Sequence, residues 1–488
     1  MNNSKKSIAI GIFWTLSERF MSQIVSVIVT IILTRLLLPE DYGVISVITV
    51  IITILNVFMT SGFSASLIQQ EDVGQIDYST VLYFSVFLGI ILYAGVFVCS
   101  PILADFYKLP QLELVLKVLA LKIPLSALNS VQQAYVSRNM LFKKFFISTV
   151  SATIVSGVIG VTMAYNNYGV WSLVAQDLSN VVTISLVLWY SVGWRPTFQF
   201  SFLRLKKLFG FGVKIFIQTF FNTVYANIRS LLIGGFYSPT DLAYYTKGNQ
   251  YPNLIVTNVD NAISKTMFPV MSREQNDLKK VKHLTRRTIQ VSSYIMSPIL
   301  IGFFVCAKQI VSIVMTDKWL PAVPYIRIIC ICLLIRASQT SILQAIKSIG
   351  RSDIVLRMDI PVRIFALIIL IFTIRYGVIY IAISEIVVEF LALLIYSHYS
   401  FKLLNYSYFE IFSDFFKNII LSVIMGIFVY FVGENIALST LVILVIQILA
   451  GIIAYLLLSV FFKNDSWKLC SSFLNRKKVI NYKGEDIS

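Results

Sequence analysis

The chain has 488 residues, of which 57% are hydrophobic and 13% charged, and its formal net charge is +17. A soluble domain needs roughly 25% charged residues to cover its surface, so a water-soluble fold is excluded. Nucleic-acid binding would require the basic residues on one soluble face among aromatics; here they fall in alternate loops, which excludes nucleic acid as a partner.

The amino terminus, Met1 to Lys6, leads into an apolar run that reaches Leu38 without a small-residue cleavage site, so a retained first helix is expected. Apolar blocks of about twenty residues follow, long enough as helix to cross a hydrocarbon core roughly 30 Å thick. They place helices near 10–37, 42–68, 78–104, 112–136, 146–166, 170–192, 208–236, 243–269, 288–315, 324–349, 353–374, 378–401, 411–432 and 436–462. The expected fold is an all-α integral membrane protein of about fourteen transmembrane helices. Pro124, Pro252, Pro298 and Pro361 fall inside these helices, where each removes a backbone bond and can kink its helix.

With the amino terminus inside, the inner loops and tails hold 25 Lys and Arg residues, among them Lys5, Lys6, Lys143, Lys144, the run from Lys279 to Arg287, and the tail residues Arg476, Lys477, Lys478 and Lys483. The outer loops hold only Arg35, Lys108, Lys308, Lys318 and Arg375. Such an imbalance orients a membrane protein with its positive loops inside, so both termini are expected in the cytoplasm. Cys99, Cys306, Cys330, Cys332 and Cys470 show no metal-ligand spacing, and no disulfide, metal or cofactor is expected.

The two halves of the chain resemble each other. Leu38-Pro39-Glu40-Asp41-Tyr42 aligns with Ser238-Pro239-Thr240-Asp241-Leu242, each a helix-breaking Pro and a capping Asp in an outer turn. Gln133-Ala134 meets Gln344-Ala345, and Tyr168-Gly169-Val170 meets Tyr376-Gly377-Val378, with an acid seven residues beyond the glycine-valine step recurring as Asp177 and Glu385. The expected organisation is an N-lobe over 1–197 with helices one to six, a C-lobe over 198–405 with helices seven to twelve, and 406–488 with helices thirteen and fourteen and a basic cytoplasmic tail. An even number of helices per repeat makes the pseudo-twofold axis parallel to the membrane normal. That is the geometry of alternating access, with substrate bound near the midplane.

A basic residue in the middle of a membrane helix costs about 2.5 to 3.5 kcal/mol on insertion scales, so each one retained there has a partner, a wet cavity or a ligand. Arg19, Lys122, Arg229, Arg336 and Arg363 fall at such depth. Lys122 aligns with Leu333, and Arg336 lies one helical turn beyond Leu333, which suggests two cations at similar depth. Guanidinium matches phosphate oxygens bidentately, so Arg229, Arg336 and Lys122 are the expected ligands of a pyrophosphate, with Arg19 and Arg363 as further members. Buried pairing is the alternative, since Glu18, Asp177, Asp260, Glu385 and Glu389 also lie within helices. Arg19 adjoins Glu18, and Asp359 stands four residues before Arg363. Asp177 and Glu385 are expected to contact neighbouring helices, and Asp260 is the candidate for a coupling proton or sodium ion.

Several strings in this chain resemble the polysaccharide transporters of the multidrug/oligosaccharidyl-lipid/polysaccharide superfamily, which include the Wzx-type flippases and the teichuronic or colanic acid exporters. They are Thr34-Arg35-Leu36-Leu37-Leu38-Pro39-Glu40-Asp41-Tyr42-Gly43, Tyr168 to Val174, Trp194-Arg195-Pro196, Tyr237 to Tyr245, and Phe268 to Gln275. The resemblance implies a two-lobed fold that moves an undecaprenyl-diphosphate-linked oligosaccharide repeat unit to the outer leaflet of a bacterial cytoplasmic membrane for cell-surface polysaccharide assembly. It implies membrane lipids, a polysaccharide polymerase and a co-polymerase as partners. Helices thirteen and fourteen would resemble the extra pair of the lipid II flippases.

Other functions fit less well. A membrane-embedded glycosyl ligase or polymerase needs a sizeable outer region, yet the longest outer connection is expected under about fifteen residues, and His283 and His398 lack nucleophile or metal partners. A drug or cation antiporter of the same superfamily would favour acidic over basic cavity residues, and a purely structural protein leaves the mid-depth cations unexplained.

Overall fold

The computed structural model describes residues 2–436 and 438–474, and among them all regular structure is helical, with no strand. The tail cations Arg476, Lys477, Lys478 and Lys483, and the side chains of Lys5 and Lys6, lie outside the described residues. The chain divides into two compact units, Met1–Ala243 and Tyr244–Ser488.

The first unit contains α1 (Asn2–Leu36), α2 (Pro39–Thr60), α3 (Phe63–Gln69), α4 (Gln75–Phe106), α5 (Pro110–Leu119), α6 (Lys122–Arg138), α7 (Phe142–Tyr165), α8 (Val170–Ser191), α9 (Phe202–Phe236) and the start of α10 (Pro239–Arg273). Its helix starts follow from local chemistry. The Asp41 carboxylate accepts the Leu38 amide at 3.0 Å beside Pro39, and Asp241 accepts the Ser238 amide at 3.3 Å beside Pro239, so both helix starts are capped as the Pro and Asp spacing predicts. Gly169 precedes α8 with φ of +52°, and a Cβ there would lie 3.2 Å from Asp41 Oδ1, which brings the first two recurring strings together. Gly377 takes the same place before α16, at φ of +124°. Helix α9 packs on α2, α3 and α4, which draws it into the first unit. The buried cluster at this end joins Leu67, Tyr78, Val131, Leu188, Trp194 and Leu208.

The second unit continues α10 and adds α11 (Leu278–Val305), α12 (Ala307–Val314), a 3-10 turn (Asp317–Ala322), α13 (Val323–Arg336), α14 (Gln339–Ser348), α15 (Ser352–Thr373), α16 (Val378–Leu404), α17 (Tyr408–Glu434), α18 (Thr440–Phe461) and α19 (Asp465–Leu474). Helix α11 starts at Leu278, where the apolar pattern places it near 288, because the Asp277 carboxylate caps it by accepting the Lys279 and Lys280 amides. The run from Lys279 to Arg287 is thus the first two turns of a helix whose Val281, Thr285 and Ile289 are buried. It is not a loop. The same helix ends at Val305, and Cys306 turns the chain into the short α12.

Among the described residues, eleven helical segments are long and apolar enough to cross a membrane. Helices α9 and α10, of 35 residues each, and α15, of 22, also have the length, but they carry polar and charged side chains through their middles. Exposed Leu, Ile and Phe line the spans, Phe87, Ile90, Ile452 and Leu457 among them, a surface suited to hydrocarbon and not to water. The chain is a multi-pass membrane protein.

Besides Pro39–Gln69, which breaks at Ser61 and Gly62 between α2 and α3, two spans are interrupted among the described residues. The first breaks at Ala120 and Leu121, between α5 and α6. Pro124 has no amide to offer the Ala120 carbonyl, which is taken instead by Ile123 N at 2.9 Å in a tighter turn. The second breaks at Ala337 and Ser338, between α13 and α14, where the Ser338 hydroxyl bonds the Ile335 carbonyl at 3.3 Å. Lys122 is the first residue after one break and Arg336 the last before the other.

Candidate functional site

In the first unit, α9 carries a polar stripe. Lys214, Gln218, Asn222, Tyr225 and Arg229 recur every three or four residues and so share one face of the helix. Lys214, Gln218 and Asn222 are exposed, and Tyr225 and Arg229 half-buried. Exposed amides in the middle of a membrane helix are tolerated where they meet water. Lys122 does not join this stripe. Its Nζ sits 2.9 Å from Asp177 Oδ2 of α8. Arg19 is exposed on α1, and neither it nor Glu18 has an ion-pair partner among the described residues, so the two neighbours do not form a pair.

In the second unit, the polar residues of α10 meet those of α13 and α14 in a ladder. Arg336 Nη2 donates to Asn253 Oδ1 at 3.2 Å. Thr340 and Arg336 both act on the Asp260 carboxyl, and Gln344 Nε2 donates to Ser264 Oγ at 3.0 Å. The spacing of four from Arg336 to Thr340 to Gln344 keeps these side chains on one face across the break. Arg336 has no carboxylate within ion-pair distance among the described residues, and its bonded partner is a neutral amide.

The ladder extends sideways. Gln339 Nε2 donates to Glu389 Oε2 of α16 at 3.1 Å, and Tyr396 on the same helix donates to Asp359 Oδ1 of α15 at 2.5 Å. Arg363 reaches Asp359 at 4.0 Å, the local pair at a spacing of four. Glu385 accepts the Tyr245 hydroxyl at 2.5 Å, a contact between α16 and α10, as Asp177 makes one between α8 and α6. On α10 itself Gln250, Thr257, Asn258, Asn261 and Lys265 are exposed and fall on a second polar stripe.

The five cations singled out from the sequence therefore do not form one cluster within either unit. Lys122, Arg229 and Arg19 stand on three helices of the first unit, and Arg336 and Arg363 on two of the second. The amides and hydroxyls that complete the sites, Asn222, Asn253, Thr340 and Gln344, were not among the site residues expected from the sequence, where Gln344 figured only in the repeat. A polar residue at every third or fourth position of an otherwise apolar helix is the signal that finds them.

Several cations near helix ends are engaged structurally. Arg138 donates to the Leu67 carbonyl at 2.8 Å and to those of Gln70 and Glu71, at the end of α3, and Arg195 donates to Val192 O at 2.6 Å and Trp194 O at 2.8 Å past the end of α8. Lys282 pairs with Glu410 at 2.9 Å, and Arg286 Nε with Asp414 at 2.7 Å. The Tyr406 hydroxyl donates to the same Asp414 at 2.8 Å, and burial pushes its pKa well up, so it stays a donor.

Residues 32–324 match the family model described as polysaccharide biosynthesis protein. The chain is similar to the teichuronic acid biosynthesis protein TuaB of Bacillus subtilis (strain 168), 23% identical over 310 residues, and that match spans 62% of this chain and 63% of TuaB. It is similar to the succinoglycan biosynthesis transport protein ExoT of Rhizobium meliloti (strain 1021), 20% identical over 349 residues, covering 72% of this chain and 71% of ExoT. Its fold is similar to that of the lipid II flippase MurJ in an inward closed conformation, with a TM-score of 0.72 at 15% identity over 93% of this chain and 99% of that one. All five strings that carry the family resemblance, from Thr34 to Gln275, lie inside the matched stretch, and the chain belongs to the polysaccharide biosynthesis protein family.

Proposed function

We propose that the protein flips an undecaprenyl-diphosphate-linked oligosaccharide repeat unit from the cytoplasmic to the outer leaflet of a bacterial cytoplasmic membrane by alternating access through a cationic cavity. Membership of the family, the names of TuaB and ExoT and the MurJ-like fold support a lipid-linked sugar as cargo. Fourteen spans follow if α9, α10 and α15 cross the membrane with the eleven apolar segments, their polar stripes turned to a wet passage. A repeat of six helices, lobes over 1–197 and 198–405 with two helices beyond, is supported by the paired breaks that follow Leu119 and Arg336 and by the paired positive-φ glycines Gly169 and Gly377. The excess of Lys and Arg on alternate connections supports cytoplasmic termini.

The observation that carries the reading is Arg336, a guanidinium at a break inside a span, held by a neutral amide and without a direct carboxylate partner among the described residues. Such a group costs several kcal/mol unless an anion or water meets it. On this reading each unit offers its own cations to the diphosphate headgroup, Arg229, Lys122 and Arg19 from the first and Arg336 and Arg363 from the second, the last beside Asp359. A polymerase and co-polymerase would receive the exported unit. Arg336→Glu should abolish export of the lipid-linked unit while membrane insertion stays intact; export at the wild-type rate would remove Arg336 from the site.

One observation favours the alternative, a drug or cation antiporter of the same superfamily. Asp260 Oδ1 is buried without a hydrogen-bond partner, as a site for a proton or sodium ion would be. In the flippase reading this carboxyl couples the cycle to an ion. Cation-driven efflux of a dye by reconstituted wild-type protein, lost in Asp260→Asn with no effect of Arg336→Glu, would support the antiporter instead.

A further inference from the structure

The link between α8 and α9 carries apolar side chains in the open. Residues 192–201 form an irregular link, extended at Val192 and Ser201 and bent at Phe198, where Gln199 N donates to the Thr197 carbonyl at 2.7 Å. The link is pinned to the second turn of α4. Thr197 N donates to Ser79 Oγ at 2.9 Å, and Ser201 N to Thr80 Oγ1 at 3.1 Å. Phe198, Phe200 and Phe202, spaced by two, are 101%, 54% and 72% exposed, and Leu203 is 80% exposed.

Beside them opens a recess of about 630 Å³, lined by Asp72, Asp77, Leu203, Arg204, Lys206 and Lys207 among others. Asp77 is buried, accepts the Gly74 amide at 2.8 Å and pairs with Arg204 at 2.6 Å, so those two groups build the floor. Lys206 and Lys207 have no ion-pair partner among the described residues. Three cations face two carboxylates, and α9 has no acid in its first turn to offset the positive end of its dipole, which leaves the recess net positive.

We infer that this recess and the exposed phenylalanines of the adjoining chain form a seat for the phosphate headgroup of an anionic glycerophospholipid at the membrane surface. Lys206 and Lys207 hold the phosphate, and Phe198, Phe200 and Phe202 enter the boundary between headgroups and acyl chains, where aromatic rings are favoured. A soluble phosphate would satisfy the lysines and leave four large apolar side chains in water; a phospholipid presents anion and hydrocarbon in one molecule. The seat goes beyond transport, and it does not depend on which face of the membrane is inner.

The test uses the full-length protein in phosphatidylcholine nanodiscs titrated with spin-labelled phosphatidylglycerol, reading the immobilised fraction. Wild type should prefer phosphatidylglycerol over phosphatidylcholine, and Lys206→Gln with Lys207→Gln should cut that preference ~30-fold, as two cations near an anionic surface predict. Lys206→Arg with Lys207→Arg should restore it, which separates charge from misfolding. Phe198→Ser with Phe200→Ser should weaken retention of both lipids. The Arg336→Glu protein should keep the full preference, so that failure of the seat and failure of the transport reading are seen separately. An unchanged preference in the double glutamine variant would overturn the seat. So would displacement of phosphatidylglycerol by inorganic pyrophosphate with the phenylalanine variant behaving as wild type, the result expected of a soluble-phosphate site.

Discussion

Lys122, at the first position of α6, closes a 2.9 Å ion pair on Asp177 of α8, and the two side chains are 18% and 38% exposed. Because Asp177 is more than one-third exposed, the pair is screened and falls between a surface pair and a buried one. Lys122→Ala is expected to lower stability by about 1 kcal/mol, by leaving a carboxylate without its partner. The double variant Lys122→Ala, Asp177→Ala should recover part of that loss in thermal unfolding of the purified protein. Export should stay depressed in the double variant if Lys122 also meets substrate; recovery of both together would make it a purely structural residue.

Arg336→Lys keeps the charge but removes the planar fork that binds phosphate bidentately and the Nη2 that reaches Asn253. Export in cells is expected to drop about tenfold with expression unchanged, the loss of roughly 1.4 kcal/mol of recognition. A lysine variant as active as wild type would show that a point charge is enough.

Gly43 closes the Thr34 to Gly43 string, and a Cβ there would stand 2.1 Å from the Pro239 carbonyl oxygen. Backbone cannot retreat as a flexible side chain can. Gly43→Ala should therefore destabilise the protein by at least about 1 to 3 kcal/mol, the range for overpacking, seen as a lower unfolding midpoint or loss of monodisperse protein on gel filtration.

Asn418 is fully buried on α17 and joins four groups. Its Nδ2 donates to Gln290 O at 3.1 Å, Ser293 Oγ at 2.7 Å and Ser466 Oγ at 3.2 Å, and its Oδ1 accepts from Asn464 at 2.9 Å. Asn418→Leu is close in volume but removes the donor to Ser466 Oγ and the acceptor of Asn464 Nδ2, while Ser293 Oγ and Gln290 O keep each other, and each group left unsatisfied costs about 1 to 3 kcal/mol. The unfolding midpoint should fall further than in Ser384→Ala, which removes a buried hydroxyl bonded to the Ile381 carbonyl of its own helix.

Some relationships were legible because they are local. The Pro and Asp steps at 39–41 and 239–241 are read within one turn, and the structure caps both helices there. The Asp359 and Arg363 pair needs only a spacing of four. Gly169 and Gly377 announce themselves in matching strings, and both adopt positive φ. Where the reading of local pattern went wrong, at the start of α11, the polar Lys and Arg run hid an amphipathic helix whose buried face is Val281, Thr285 and Ile289.

By itself the sequence established a helical chain threaded many times through a membrane and rich in cations at depth, because hydropathy, charge density and helix capping act over stretches of a few to about twenty residues. The tertiary structure decided what each of those cations meets: Asp177 for Lys122, Asn253 for Arg336, and a stripe of exposed amides beside Arg229. Those partners lie 55 and 83 positions away along the chain in the first two cases, on helices brought together by packing, and no short-range pattern specifies which faces will touch.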